Sequence, residues 1–332
     1  MKALVLHDAV PASCRADEQD NLIQARAVAE ALRSQGLEAE LMPLRPELDQ
    51  VARALAAKRP DVVFNLVESC WGTGRLAHFA PAILDVLGLR YTGSGVYPLL
   101  ATADKVRTKE LLRQAGLPTP AWHTRRRLTR QHDPVKGPFL IKPVYEHGSV
   151  GLEDGSLVDV ADVRELSEAL ERRVEATGLE CFAEAYVEGR EFNIAVLHAQ
   201  GATRALPPAE MTFEAWAEDK PRILGYDAKW REDSPEYENT RRRFDFPPED
   251  EPLLTRLRSL ALGCWLVFGL KGYARIDFRV DARGAAWIID VNPNPCIAPD
   301  AGLAAMAQRA GMSFSELVRR IVDAACEDPW NP

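Results

Sequence analysis

Apolar and polar positions follow one another in blocks whose period changes along the chain. In the first 90 or so residues, apolar runs at 3–6, 38–44 and 61–65 alternate with stretches of helical period at 21–33, 46–58 and 75–87. Gly36 and Gly88 stand where two of those helices would stop. Strands separated by helices predict a parallel sheet with crossover connections. Ligands collect beyond the carboxyl ends of such strands, which brings Asn65 and Glu68 within reach of one.

From residue 102 the texture changes. A helix is expected over 104–115, stopped by Gly116, and Leu117-Pro118-Thr119-Pro120 cannot continue it. A strand at 139–142, a glycine-bearing loop at 146–151, a helix at 162–176 and a strand at 181–184 then form a second unit. A third begins near Gly189, with a strand at 191–197 and a long polar excursion over 213–248. A helix at 253–268 and a hairpin over 272–291 follow. A closing helix at 314–325 carries Ser313 and Glu316 at the spacing of a capping box. The division expected is 1–97, 98–188 and 189–332, a mixture of α/β and α+β with a parallel sheet in the first part.

The hairpin carries the strongest chemical signal. Alternation puts Arg275 and Asp277 on one face of the outgoing strand, and Asp290 and Asn292 on one face of the return strand. With an even turn all four point the same way. Such a face is either a solvated surface with an ion pair or a site for a hard cation. The strongly apolar strands and the adjoining Asn-Pro-Asn-Pro favour the cation, and two carboxylates with an amide oxygen suit Mg²⁺. A second signal is Lys142 at the end of an apolar strand, just before Gly148-Ser149-Val150-Gly151. Backbone N–H groups of a glycine loop can cradle phosphate oxygens, with the lysine as a point charge.

The order Tyr91-Thr92-Gly93-Ser94, Asp104-Lys105, Ile141-Lys142-Pro143, Gly148-Ser149-Val150-Gly151, Glu184, Glu188-Gly189-Arg190-Glu191-Phe192, Asp227-Ala228-Lys229-Trp230, Ala274-Arg275-Ile276-Asp277 and Asp290-Val291-Asn292 resembles the ATP-grasp superfamily. Within it, the sequence resembles the D-alanine–D-alanine ligases, over nearly the whole chain. The resemblance implies a three-domain fold and an ATP-dependent carboxylate–amine ligase that forms an amide bond through an acyl phosphate. It implies that Lys105, Lys142 and Lys229 hold phosphates, with Gly148 and Ser149 in the phosphate loop. Glu184 would accept from the adenine amino group, Ala185, Tyr186 and Val187 would line the adenine, and Glu191 would bind ribose. Asp277, Asp290 and Asn292 would ligate two Mg²⁺ ions, and Arg275 would stabilise the acyl phosphate.

The departures concern substrate. The turn after the first strand lacks the family's glycine-rich, glutamate-bearing pattern, and Val67-Glu68 replaces a His-Gly pair. Trp230 stands for a tyrosine, and Ala301, beside Asp300, for a serine that holds a carboxylate. Asp290 is shorter than the usual glutamate. Asp17, Glu18 and Glu68 are candidates to hold a substrate ammonium group, and Trp230 and Asp300 to line the acceptor pocket. Authentic D-alanine–D-alanine ligation and a non-catalytic nucleotide-binding protein remain the alternatives.

Composition narrows the partners. A formal net charge of −8 argues against duplex nucleic acid, which needs a basic face. The six cysteines form no CxxC pair, no segment is long and apolar enough to span a membrane, and the first apolar run is too short for a signal peptide. A cytoplasmic protein acting on small carboxylates and amines is expected, and the resemblance implies a homodimer. His147 beside the phosphate loop and the run Arg241-Arg242-Arg243 read as either solvated or substrate-facing.

Overall fold

The computed structural model describes residues 1–10, 16–128, 135–146, 148–152, 155–216, 220–231 and 233–328, with the backbone alone for Ala16 and Asp17. Three sheets organise it. In the first, β1 (Lys2–Asp8) lies between β2 (Glu38–Leu44) and β3 (Val62–Asn65), parallel to both. The crossover helices are Ala16–Ser34 and Leu48–Lys58. The first starts five residues before its periodic stretch, so Asp17 and Glu18 belong to a helix and not to a loop.

The second sheet is antiparallel. It is built from β4 (Trp122–Thr124), β5 (Gly137–Pro143), β6 (Leu157–Val160) and β7 (Cys181–Ala185), in the order β4-β7-β5-β6. The helix Val163–Thr177 covers it, capped by Asp162, whose side chain accepts from Glu165 N.

The third sheet holds β8 (Arg190–Ala199), β9 (Ala202–Ala205), β10 (Ala209–Phe213), β11 (Thr240–Arg243), β12 (Tyr273–Val280) and β13 (Ala286–Asn292). Its order is β11-β10-β8-β12-β13, with β9 on β8. Strand alternation gives this sheet two different faces. Phe192, Ile194, Ile276, Phe278 and Ile288 pack against the helix Glu251–Phe268 through Leu257, Ala261 and Phe268. The residues between them face a cavity. Gly189 leads into β8 with φ +142, and a Cβ there would lie 2.0 Å from the Val280 carbonyl oxygen. Only glycine allows that approach.

The last helix, Phe314–Glu327, returns to the first sheet. Its Leu317, Ile321 and Val322 share a core with Val5, Val28, Leu32 and Phe64. Half of the expected capping box forms: Ser313 Oγ accepts from Glu316 N, while the Glu316 carboxylate turns to Arg320. Among the described residues no helix is long and apolar enough to cross a membrane.

Candidate active site

A cavity of 520 Å³ lies between the second and third sheets and reaches the loop after β3. The large sheet supplies one wall. Register places Arg279 opposite Glu191 and Asp277 opposite Asn193 across β12 and β8; across β12 and β13 it places Asp277 opposite Asp290 and Arg275 opposite Asn292. The expected single polar face is therefore formed. The contacts follow the register. Arg275 Nε and Nη2 donate to the two Asp277 oxygens at 2.8 and 2.9 Å, and Asn193 Nδ2 donates to Asp277 Oδ1 at 2.8 Å.

The small sheet supplies the facing wall. Lys142 on β5 stands diagonal to Glu184 on β7, since Leu140 pairs Glu184 and Lys142 pairs Phe182. Lys142 Nζ lies 2.5 Å from one Glu184 oxygen, and Lys109 Nζ lies 2.5 Å from the other. Burial would raise the Glu184 carboxyl, but the two ammonium groups outweigh it and hold it below the usual range. Lys109 is one helical turn beyond Lys105 on the helix Lys105–Gln114. It is absent from the residues expected at the site, although i,i+4 spacing puts both lysines on one face. Lys105 Nζ donates to Glu146 O. Burial pushes the ammonium groups of Lys105 and Lys229 down from the ordinary lysine value.

The loop that follows β5 is strained. Gly148 and Ser149 both have φ +64, a left-handed conformation that costs a non-glycine residue ~1–2 kcal/mol. Ser149 is held there by donating from Oγ to Leu224 O at 2.8 Å. Trp230 Nε1 donates to Gly148 O at 2.7 Å, and Tyr226 N to Leu152 O at 3.1 Å. The polar excursion thus contains a short helix, Tyr226–Trp230, that sets Trp230 on the loop and Lys229 at the cavity. Expectations for His147 fall outside the described residues.

At the other end, Asp20, Glu68, Cys296, Asp300, Ala301 and Gly302 line the cavity with Arg241 and Arg242. Glu68 follows β3. Asp8 Oδ1 accepts from Glu68 N at 2.9 Å, and Gln24 Nε2 donates to Glu68 Oε1 at 2.6 Å. Burial, then the charge of Asp8, pushes the Glu68 carboxyl up to about 8; burial pushes Asp8 up to about 6. Glu18 is not part of the wall, though its charge is felt at Asp8. The Asp17 side chain lies outside the described residues. Asp20, one helical turn before Gln24, is a wall residue that the sequence pattern did not single out.

Glu68 makes a prediction. The folded protein keeps a proton on it between the unfolded carboxyl value of 4.5 and about 8, where the unfolded chain has lost it. Stability therefore falls with rising pH across that window, by up to about 1.4 kcal/mol per pH unit. Glu68→Gln should flatten that slope in urea unfolding measured from pH 5 to 8. An unchanged slope would remove the assignment.

The donor set fits Mg²⁺. Asp277, Asp290 and Asn292 offer hard oxygens on one rigid face and leave coordination positions for other ligands, the pattern of Mg²⁺ shared with substrate phosphates. Among the described residues no three His, Cys, Asp or Glu side chains group around one point, so no closed protein cage forms.

Residues 111–323 match the family model described as D-ala D-ala ligase C-terminus. A D-alanine–D-alanine ligase of Bordetella petrii is 30% identical over 320 residues, covering 94% of this chain and 90% of its own. One of Methylococcus capsulatus is 31% identical over 315 residues, covering 93% and 92%. An uncharacterized protein of Sinorhizobium fredii is 31% identical over 275 residues, covering 81% and 76%. The crystal structure of a D-alanine–D-alanine ligase from Bacillus anthracis complexed with ATP superposes with a TM-score of 0.71 at 21% identity, covering 98% and 97%.

Proposed function

The chain belongs to the D-alanine–D-alanine ligase family of ATP-grasp enzymes, ATP-dependent ligases that form C–N bonds, and from that premise we propose that it joins a carboxylate to an amine, both small molecules, through an acyl phosphate. The observation that carries the reading is convergence. Lys105, Lys142 and Lys229, the strained loop at Gly148 and Ser149, and the opposed Asp277 and Asp290 all line one cavity.

In this reading ATP lies between the second and third sheets. Glu191 meets the ribose, Ala185, Tyr186 and Val187 meet the adenine, and the lysines meet the phosphates. Each Glu184 oxygen, although held by an ammonium group, keeps a second lone pair for an adenine amino group. Mg²⁺ held by Asp277, Asp290 and Asn292 would neutralise charge on the transferring phosphoryl group. The substrate carboxylate attacks the γ-phosphorus, forming an acyl phosphate and releasing ADP. The free amine then attacks the acyl carbon, loses a proton and expels phosphate. Arg275, with Lys229 beside it, meets the developing negative charge. The three-part division at 97/98 and 188/189 is supported by one sheet in each part. A homodimer is supported by exposed Val86, Tyr97, Leu100 and Leu266, on three helices that contact one another in turn.

We further propose substrates other than two D-alanines. Ala301 stands where the family uses a serine for the second carboxylate, Asp300 lies beside it, and Trp230 takes the place of a tyrosine. Loss of the serine hydroxyl removes one donor for a buried carboxylate, and the loss of such a partner discriminates steeply; Arg241 and Arg242 are the donors left at that end. Asp20, and Glu68 once it gives up its proton, would favour an ammonium group instead. The test is ADP formation and product mass with D-alanine alone, beside a panel of amino acids, amines and diacids. D-alanine is expected to be a poor pair. D-alanyl-D-alanine formed as fast as any other product would establish the D-alanine–D-alanine activity that the relatives' names carry.

A further inference from the structure

Arg279 continues the period-2 face of β12 one step beyond Asp277, and the nucleotide reading above gives it no part. Only 4% of this residue is exposed, and four donor contacts leave its guanidinium fork. Nε donates to Val187 O at 2.9 Å. Nη1 donates to Glu191 Oε2 at 3.1 Å and to Arg222 O at 2.9 Å. Nη2 donates to the Tyr186 hydroxyl at 3.1 Å. The fork also lies over the Tyr186 ring, 5.3 Å from its centroid.

These partners come from three places. Tyr186 and Val187 follow β7, Glu191 is on β8, and Arg222 begins the segment that reaches Lys229. That segment is tied along its length to the phosphate loop, through Ser149 Oγ to Leu224 O, Tyr226 N to Leu152 O and Trp230 Nε1 to Gly148 O. One side chain thus joins the residues proposed to meet base and ribose to the segment that positions Lys229.

We propose that Arg279 is a positioning residue that couples nucleotide seating to the placement of Lys229. The inference rests on the nucleotide reading given above. A planar fork with five N–H donors suits this work, because it fixes several acceptors in one plane at once. A lysine would keep the charge beside Glu191 but could not span the same acceptors. A methionine would keep the bulk and remove every bond.

The experiment compares wild type, Arg279→Lys and Arg279→Met. It reads KM for ATP, KM for the amine, kcat, and trypsin cleavage at Arg222 and Arg231 with and without ATP. Arg279→Met should raise KM for ATP about ten-fold or more, lower kcat, and leave the amine KM unchanged. ATP should slow cleavage in wild type and lose that protection in the variant. Arg279→Lys should recover part of the ATP affinity and little of the protection, and it serves alone if the methionine variant does not fold. Thermal unfolding well above the assay temperature separates positioning from loss of fold. An unchanged ATP KM with unchanged protection, or a lysine variant equal to wild type in both, overturns the proposal. Wild type that binds no ATP in calorimetry instead overturns the nucleotide reading itself.

Discussion

Asp290→Asn is expected to lower ligation turnover by about 100-fold or more while the fold persists. Asp290 lies near the end of β13, opposite Asp277, and lines the cavity. An amide there keeps the shape and removes one negative charge from the proposed Mg²⁺ face. Charge stabilisation of a transferring phosphoryl group supplies several kcal/mol of the barrier reduction, and each ~1.4 kcal/mol is a factor of ten. Asp277→Asn would do more than remove charge, because Asp277 accepts two bonds from Arg275 and one from Asn193 and its loss would leave a guanidinium without that partner. Steady-state ADP release over a Mg²⁺ titration is the measurement, with thermal unfolding as the control for fold. Turnover near wild type at every Mg²⁺ concentration would sink the metal assignment.

Glu184→Gln should cost about 3–5 kcal/mol of stability at pH 7, the loss seen when one member of a buried ion pair is removed. Here one carboxylate serves two ammonium groups, and all three side chains are at most 10% exposed. Burial works against the charged carboxyl, but Lys109 and Lys142 outweigh it and depress its pKa. That sign fixes the pH dependence. The stabilisation is present above the unfolded carboxyl value of 4.5 and fades as pH falls through the lower folded value. The gap between wild type and variant should therefore narrow in acid. Urea unfolding at pH 7 and at successively lower pH tests this. A difference below about 1 kcal/mol at pH 7, or a gap that widens in acid, would show that the lysines find other partners.

Several parts of this site are legible in the sequence alone, because local periodicity encodes them. Arg275, Asp277, Asp290 and Asn292 alternate with residues such as Ile276, Ile288 and Val291, so the period by itself separates two faces. The same alternation extends to Arg279, and helical spacing from Lys105 extends to Lys109, but neither residue belongs to a motif that marks it out. Asp20 and Gln24 are spaced in the same way, yet their helix begins earlier than its periodic stretch, since 16–20 are all polar or small. The short strands β9 and β11 read Ala-Thr-Arg-Ala and Thr-Arg-Arg-Arg. They carry no apolar alternation, and the sheet they join makes them strands. Contacts such as Glu184 with Lys109, or Arg279 with Arg222 O, join segments whose nearness depends on how the sheets stack. No window of sequence contains that information.

The return of the helix Phe314–Glu327 to the first sheet sets a timetable for synthesis. Gln35 Nε2 donates to Ser315 O across 280 residues of chain, and Val5, Leu32 and Phe64 finish their packing only against Ile321 and Val322. At ~5–20 residues per second the ribosome takes roughly 15–55 s to make the intervening stretch. During that time the first of the three sheets holds an open apolar face, the kind of surface that chaperones bind and that aggregates when they do not. A nonsense codon before residue 314 would therefore leave the first sheet exposed, hundreds of residues from the lesion.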